Sequence, residues 1–117
     1  MILITDETKI YLSNIAVDMR KSIDGLSLTV LDELAKSPQS DSIFIFYNRA
    51  KDKIKILTWH RNGFVLYYKR LEQGKFKFPK AKDDVYCISH QQLTWLIAGL
   101  DFNLMNEFKE INYDHFY

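Results

Sequence analysis

Two runs of strand-forming residues, KIKILTWH and FVLYYKRL, flank Arg61-Asn62-Gly63 and constrain this chain more than any other feature. β-branched and aromatic side chains fill both runs, and Asn-Gly is the dipeptide that best accepts positive φ at both central positions of a tight hairpin turn. The pattern predicts strands over Lys53–His60 and Phe64–Leu71 joined by a two-residue Asn62-Gly63 loop. That register sets Arg61 opposite Phe64, Trp59 opposite Leu66, Leu57 opposite Tyr68 and Lys55 opposite Arg70 on one face. His60 with Val65, Thr58 with Tyr67, Ile56 with Lys69 and Ile54 with Leu71 share the other. Lys55 beside Arg70 is a like-charge pair, which destabilises a sheet unless both cations reach solvent or share an anion.

The hairpin also concentrates charge. Between Arg49 and Lys82 stand eleven Lys and Arg against two acids, Asp52 and Glu72, a balance of +9, while the rest of the chain carries −8 and the whole only +1. Such a distribution points to one surface built for a polyanion. In that reading Lys53, Lys55, Arg61, Lys69 and Arg70 of the hairpin, with Lys75, Lys77, Lys80 and Lys82 of the following loop, contact phosphates. Trp59, Tyr67 and Tyr68 stack on bases or sugars. The alternative is a solvated edge hairpin whose lysines resist sheet-to-sheet aggregation and whose aromatics fill the core. The basic loop favours nucleic acid, although no zinc finger or helix-turn-helix accompanies it.

Around the hairpin the sequence predicts a single α+β domain. Ile2–Leu12 reads as one or two short strands. Ile23, Leu26, Val30 and Leu34 then recur at helical spacing, predicting a helix over Asp18–Lys36 with Asp18 at its start and an end near Ser37-Pro38. Gly25 inside it signals either close packing or a kink. Ser42–Tyr47 is apolar on both faces and so central. After a loop over Gly74–Asp84, Val85–Ile88 forms a short strand, and Ser89 caps a second helix over Gln91–Leu100. The expectation is an antiparallel sheet of about five short strands with two helices packed against it. Residues 1–101 form the domain and 102–117 an extension. In the extension Phe102, Leu104, Met105, Phe108 and Ile111 suit a short amphipathic helix that packs on the protein's own sheet or docks a partner.

Catalytic signals are weak. His60, His90 and His115 fall in no metal-ligand spacing, no glycine-rich phosphate loop is present, and the aspartates are explained by helix capping or solvation. No enzyme activity, metal or cofactor is expected. The single cysteine, Cys87, sits in a strand-like run and is expected to be a buried structural thiol. The longest apolar runs are far short of the roughly 20 residues of a membrane helix, and the first residues lack a signal-peptide pattern, so a cytoplasmic protein without membrane contact is expected.

Several motifs resemble a known family. Val17-Asp18-Met19-Arg20-Lys21 with Ile23-Asp24-Gly25-Leu26 resembles the opening motif of the small TnpB-type accessory proteins of bacterial insertion sequences of the sixty-six family, which are unrelated to the RNA-guided nucleases sharing that name. Lys55 to Trp59, Gly63 to Glu72, and then Gly74, Phe76 and Pro79 resemble that family's central signature. The likeness runs on through Ile88-Ser89, Gln92-Leu93, Leu96 and Gly99 to Asp101, in order and at the right separations. The chain departs from the pattern at Thr58, where members often carry a second aromatic, and near His60, where they carry a carboxylate. The resemblance implies a bacterial protein encoded beside a separate transposase and assisting movement of the element. It supplies no catalytic residue. DNA and the transposase become the expected partners, and Asp18, Arg20 and Lys21 suit either a binding role or a helix start anchored to the sheet by an ion pair.

Overall fold

A computed structural model describes residues 5, 7–78 and 85–99. Five strands, β1 (Ile10–Leu12), β2 (Ile43–Tyr47), β3 (Lys53–His60), β4 (Gly63–Arg70) and β5 (Tyr86–Ile88), form one sheet in the order β4-β3-β2-β1-β5. Helices α1 (Ile23–Asp32) and α2 (His90–Ile97) complete the described fold. Each residue of β2 from Ile43 to Phe46 is buried, because the strand lies mid-sheet with a helix on either side. Phe44 and Phe46 pack with Leu57 against Leu26, Val30 and Leu34 in one cluster. Ile43 and Ile45 turn the other way and pack with Ile54, Ile56, Leu93 and Leu96. The alternation of the strand thus builds two apolar layers from one IFIF run.

The sheet is α+β as expected but mixed rather than antiparallel: β1 and β2 pair in parallel, Ile10 beside Ile43 and Leu12 beside Ile45. The remaining pairs are antiparallel. The cause is the β1–α1–β2 connection. A helix lying across a sheet returns the chain to the end from which it started, so the second strand runs in the direction of the first. Ser13 and Val17 lengthen this parallel pairing by donating their N–H groups to the carbonyls of Ile45 and Tyr47.

Helix α1 starts later than its periodicity implies. Asp18 is not its cap: its carboxylate accepts the Arg20 backbone N–H, and its carbonyl accepts the Lys21 N–H, closing a separate turn. Helical bonding begins from Ser22, whose carbonyl accepts the Leu26 N–H. The other end comes before Pro38, because Ala35 swings into the left-handed region at φ 54°. At Gly25 an added Cβ would stand 3.3 Å from Lys21 Cβ and Cγ, so the Lys21 side chain lies close over the helix backbone at this position. Helix α2 carries a full capping box: the Ser89 hydroxyl accepts the Gln92 N–H, and the Gln92 side chain accepts the Ser89 N–H.

The hairpin has the expected strands and faces but its pairs slide by two positions. Trp59 lies opposite Phe64, Leu57 opposite Leu66, Lys55 opposite Tyr68 and Lys53 opposite Arg70. Arg61 and Asn62, not Asn62 and Gly63, form the loop. Arg61 takes the positive φ, 58°, and Asn62 N–H donates to the His60 carbonyl at 2.6 Å. This register sets leucine against leucine and brings Trp59 edge-on to Phe64 at 4.9 Å. It also separates Lys55 from Arg70, and the Lys53–Arg70 pair it creates is relieved by Asp52 and Glu72 beside them. Sequence preference for Asn-Gly yields to these contacts. Gly63 consequently has open space around its Cβ position and no positive φ. Gly63→Ala should raise stability by about 0.5–1 kcal/mol through the unfolded chain's reduced freedom. Arg61→Gly should relieve about 1 kcal/mol of left-handed strain, offset in part by the glycine's own freedom when unfolded. Urea midpoints of the two variants check both statements.

Cys87 is exposed, against expectation. Alternation along the three-residue edge strand turns Ile88 into the α2 core and leaves Cys87 on the opposite side, at the rim of the sheet.

Candidate nucleic-acid interface

The hairpin's cations divide into three groups by what their ammonium or guanidinium groups touch. Lys55 and Lys69 are spent inside the fold. Lys55 Nζ donates to the carbonyls of Met19 at 2.7 Å and Lys21 at 2.8 Å, and lies 5.4 Å from the centre of the Tyr68 ring. It pins the 18–21 turn to the sheet. Lys69 Nζ donates to the Ile97 carbonyl at the end of α2, where a helix presents unsatisfied carbonyls and the negative end of its dipole.

A second group is paired with neighbouring acids. Lys53 lies 3.4 Å from Asp52, and Arg70 forks onto Glu72 at 3.0 and 3.2 Å. Asp52 is itself held by Asn48, whose amide donates to it at 2.6 Å and, with Lys53, keeps the carboxyl below its ordinary pKa. Arg20 belongs here too. It forks onto Asp18 with contacts down to 2.6 Å, and those bonds hold the Asp18 carboxyl at about 2. This ion pair is local and solvent-facing. The anchor between the helix approach and the sheet is Lys55, not Arg20, while Lys21 Nζ donates to Thr29 Oγ1 of α1.

The third group is exposed and makes no ion pair among the described residues: Arg49, Lys51, Lys75, Lys77 and Arg61. Four of these five converge. Arg49 and Lys51 occupy the β2–β3 turn. The Leu71 N–H donates to the Asp52 carbonyl at 2.8 Å, and the Phe76 N–H donates to the Lys51 carbonyl at 2.7 Å, so the segment after β4 folds onto that turn. Phe76 is fully buried in the α2-side core, and Phe78 lies 4.4 Å from the Tyr47 ring. With the aromatic rings inward, Lys75 and Lys77 stay exposed on a segment that the Phe76–Lys51 backbone bond holds to the turn carrying the exposed Arg49 and Lys51. The result is a cationic end of the sheet held in place by backbone bonds and a buried ring. Lys80 and Lys82 lie outside the described residues.

Arg61 stands at the opposite end of the hairpin. It lines a cleft of about 440 Å³ with Trp59, His60, Glu7, Asp41 and three threonines, a setting of mixed charge. The aromatics expected to stack on bases are not assembled into one platform. Trp59 is half-buried against Phe64, and Tyr67 and Tyr68, 44% and 50% exposed, point to opposite faces of β4. β4 is a sheet edge, and its lysine, arginine and tyrosines suit an edge protected from further pairing.

Lys75 and Lys77 are among the cations expected from the sequence to meet phosphates; Arg49 and Lys51, at the start of the same basic stretch, are not. The signal lay in Phe76, an aromatic between two lysines in a glycine-bounded loop, which marks where the loop is nailed down. Among the described residues, no cluster of three or more His, Cys, Asp or Glu is arranged to share a metal ion, and no helix is long and apolar enough to cross a membrane.

Comparison with known proteins agrees with the motif resemblance. The family model described as IS66 Orf2 like protein matches residues 8–107. Two proteins of Sinorhizobium fredii (strain NBRC 101917 / NGR234), both bearing only the description of an uncharacterized protein, are similar to the chain. The first, y4jC, is 36% identical over 86 residues, 74% of this chain and 74% of its own length. The second, y4hO, is 30% identical over 94 residues, 80% of this chain and 82% of its own length. No solved structure matches.

Proposed function

We propose, because the chain belongs to the IS66 Orf2-like family with its transposition-associated accessory role, that this protein assists movement of an insertion sequence by holding DNA at the cationic end of its sheet. One observation carries the reading. Arg49, Lys51, Lys75 and Lys77 are the exposed cations that two backbone hydrogen bonds and a buried phenylalanine bring to one place without acid partners among the described residues. Cations positioned in that way displace counterions from phosphates, and each contact adds to the salt dependence of binding. Among the described residues this end offers neither a stacking platform nor a helix for a groove, so the contact reads backbone rather than bases. The protein acts without catalysis in this account: it holds DNA while the element's transposase performs the chemistry.

A second reading, an adaptor that binds the transposase without touching DNA, is favoured by exposed apolar groups elsewhere. Leu28 and Leu31 are 57% and 51% exposed on α1, and Tyr67 and Tyr68 are open on β4. A mobility-shift titration separates the two. Element-end duplex and random duplex should both be retarded by the protein alone, with similar affinity. Retardation only when transposase is present would give the function to the adaptor.

A further inference from the structure

The cleft beside Arg61, at the other end of β3 from the cationic surface, is built from groups the fold itself does not use. Pairing sets Ile10, Ile43 and Thr58 in one row across β1, β2 and β3, so their side chains share a face of the sheet. Ile10 and Ile43 enter the core with Leu93 and Leu96 of α2. Thr58 ends the row at the cleft wall, 8% exposed, and its hydroxyl makes no hydrogen bond among the described residues. A hydroxyl withdrawn from water without a bond costs stability, and a ligand that bonds it recovers the loss.

Charges ring the same cleft without pairing. Arg61 comes from the hairpin turn, Glu7 from the approach to β1 and Asp41 from the approach to β2. None of the three enters an ion pair among the described residues. The wall opposite the hairpin is tied down: the Thr8 N–H donates to the Thr5 carbonyl at 3.0 Å, and the Thr8 carbonyl lies 3.2 Å from His90 Nε2 at the start of α2. Trp59, half-buried, supplies aromatic surface.

A volume of about 440 Å³ suits a small molecule or one monomer of a chain. A fitting ligand offers donors to two carboxylates, an anion to a guanidinium and a flat apolar body to Trp59. A lysine or arginine of a partner protein meets the first requirement but is repelled by Arg61. A metal ion fits less well, since no three His, Cys, Asp or Glu side chains among the described residues are placed to share one. A nucleotide with an exocyclic amine meets all three requirements: amine to carboxylate, phosphate to Arg61, base along Trp59.

We infer that this cleft binds one unpaired nucleotide whose base carries an exocyclic amine, taking cytosine or adenine in preference to thymine. In a duplex that amine is paired and the base stacked, so the site takes a strand end or a free nucleotide. The inference does not rest on the phosphate contacts of the cationic end, which lies beyond the opposite end of the eight-residue β3.

Titration of the isotopically labelled full chain, followed by amide and indole NMR shifts, tests this. Deoxycytidylate and deoxyadenylate should give saturable shifts at Thr8, Thr58, His60 and the Trp59 indole, and thymidylate should bind about tenfold more weakly. Asp41→Asn should abolish that preference. Thr58→Val should weaken deoxycytidylate binding while melting at or above the parental midpoint, because the hydroxyl it removes has no bond in the fold. Tetradeoxycytidylate binding more tightly than the mononucleotide identifies a strand end as the ligand; equal affinities identify the free nucleotide, and either sustains the site. Absence of saturable shifts at the cleft, equal affinity for thymidylate, or tighter binding of N-acetylarginine amide overturns it, as does a Thr58→Val protein that melts well below the parent. Shifts confined to Lys51, Lys75 and Lys77 overturn the cleft and leave the DNA-binding reading standing. Cleft shifts in a protein that retards no duplex sustain the cleft and defeat that reading.

Discussion

Phe76→Ala should lower the unfolding free energy by about 3–5 kcal/mol, the cost of removing a phenyl ring from a closed core. The ring is 1% exposed and packs among Ile10, Ile54, Ile56, Leu93 and Leu96, although its neighbours in sequence are two outward lysines. It belongs to the core and to the proposed interface together. Its backbone N–H holds the loop to Lys51, and its side chain prevents the loop from lifting. Phe76→Leu, which keeps most of the volume, should cost under about 1.5 kcal/mol and leave DNA binding intact. Urea unfolding with an unchanged slope checks the stability of both. A small destabilisation in Phe76→Ala would mean that the loop is not anchored by its ring, and the convergence of Lys75 and Lys77 with Arg49 and Lys51 would fall with it.

Lys55→Met should cost about 1.5–3 kcal/mol while leaving the salt dependence of DNA binding unchanged. The aliphatic stem survives in methionine, so the variant removes the ammonium alone. That group satisfies the carbonyls of Met19 and Lys21, and hydrogen bonds involving a charged partner are worth about 1.5–3 kcal/mol each before the partial exposure of this site reduces them. The 18–21 turn, released from the sheet, should exchange its amide hydrogens faster, with Met19 through Lys21 affected first. A variant with parental stability and a flatter salt slope would return Lys55 to the interface and remove its anchoring role.

These two residues show where the sequence was legible. Lys75 and Phe76 differ by one position and face opposite environments, and alternation of polar and aromatic residues hints at it. Lys55, in contrast, meets carbonyls 34 and 36 residues earlier in the chain. No local pattern encodes such a contact, and a lysine in a basic strand reads as a phosphate ligand until the partner turn is in place. The same division holds for the fold. The strands of the hairpin, their two faces, the central β2 and the Ser89 cap follow from period, turn chemistry and capping, all local. The parallel β1–β2 pair depends on where α1 lies across the sheet. The hairpin register is set by Leu57 meeting Leu66 and Trp59 meeting Phe64, contacts strong enough to move the loop off Asn62-Gly63 and place a left-handed arginine in it. Asp18 is a preferred helix cap by type, yet Arg20 two residues later captures its carboxylate. The amphipathic helix expected in residues 102–117 lies outside the described residues.

The salt dependence of duplex binding tests the central claim most directly. Log affinity measured against log salt should fall linearly for the parent protein. Lys51→Gln/Lys75→Gln/Lys77→Gln should flatten that slope by about 2.7, since each phosphate released from a lysine removes about 0.9. All three side chains are exposed, so folding should be unaffected and the melting midpoint serves as the control. A slope unchanged by this triple substitution, in a protein that still melts at the parental midpoint, would contradict the account and move DNA binding away from the cationic end of the sheet.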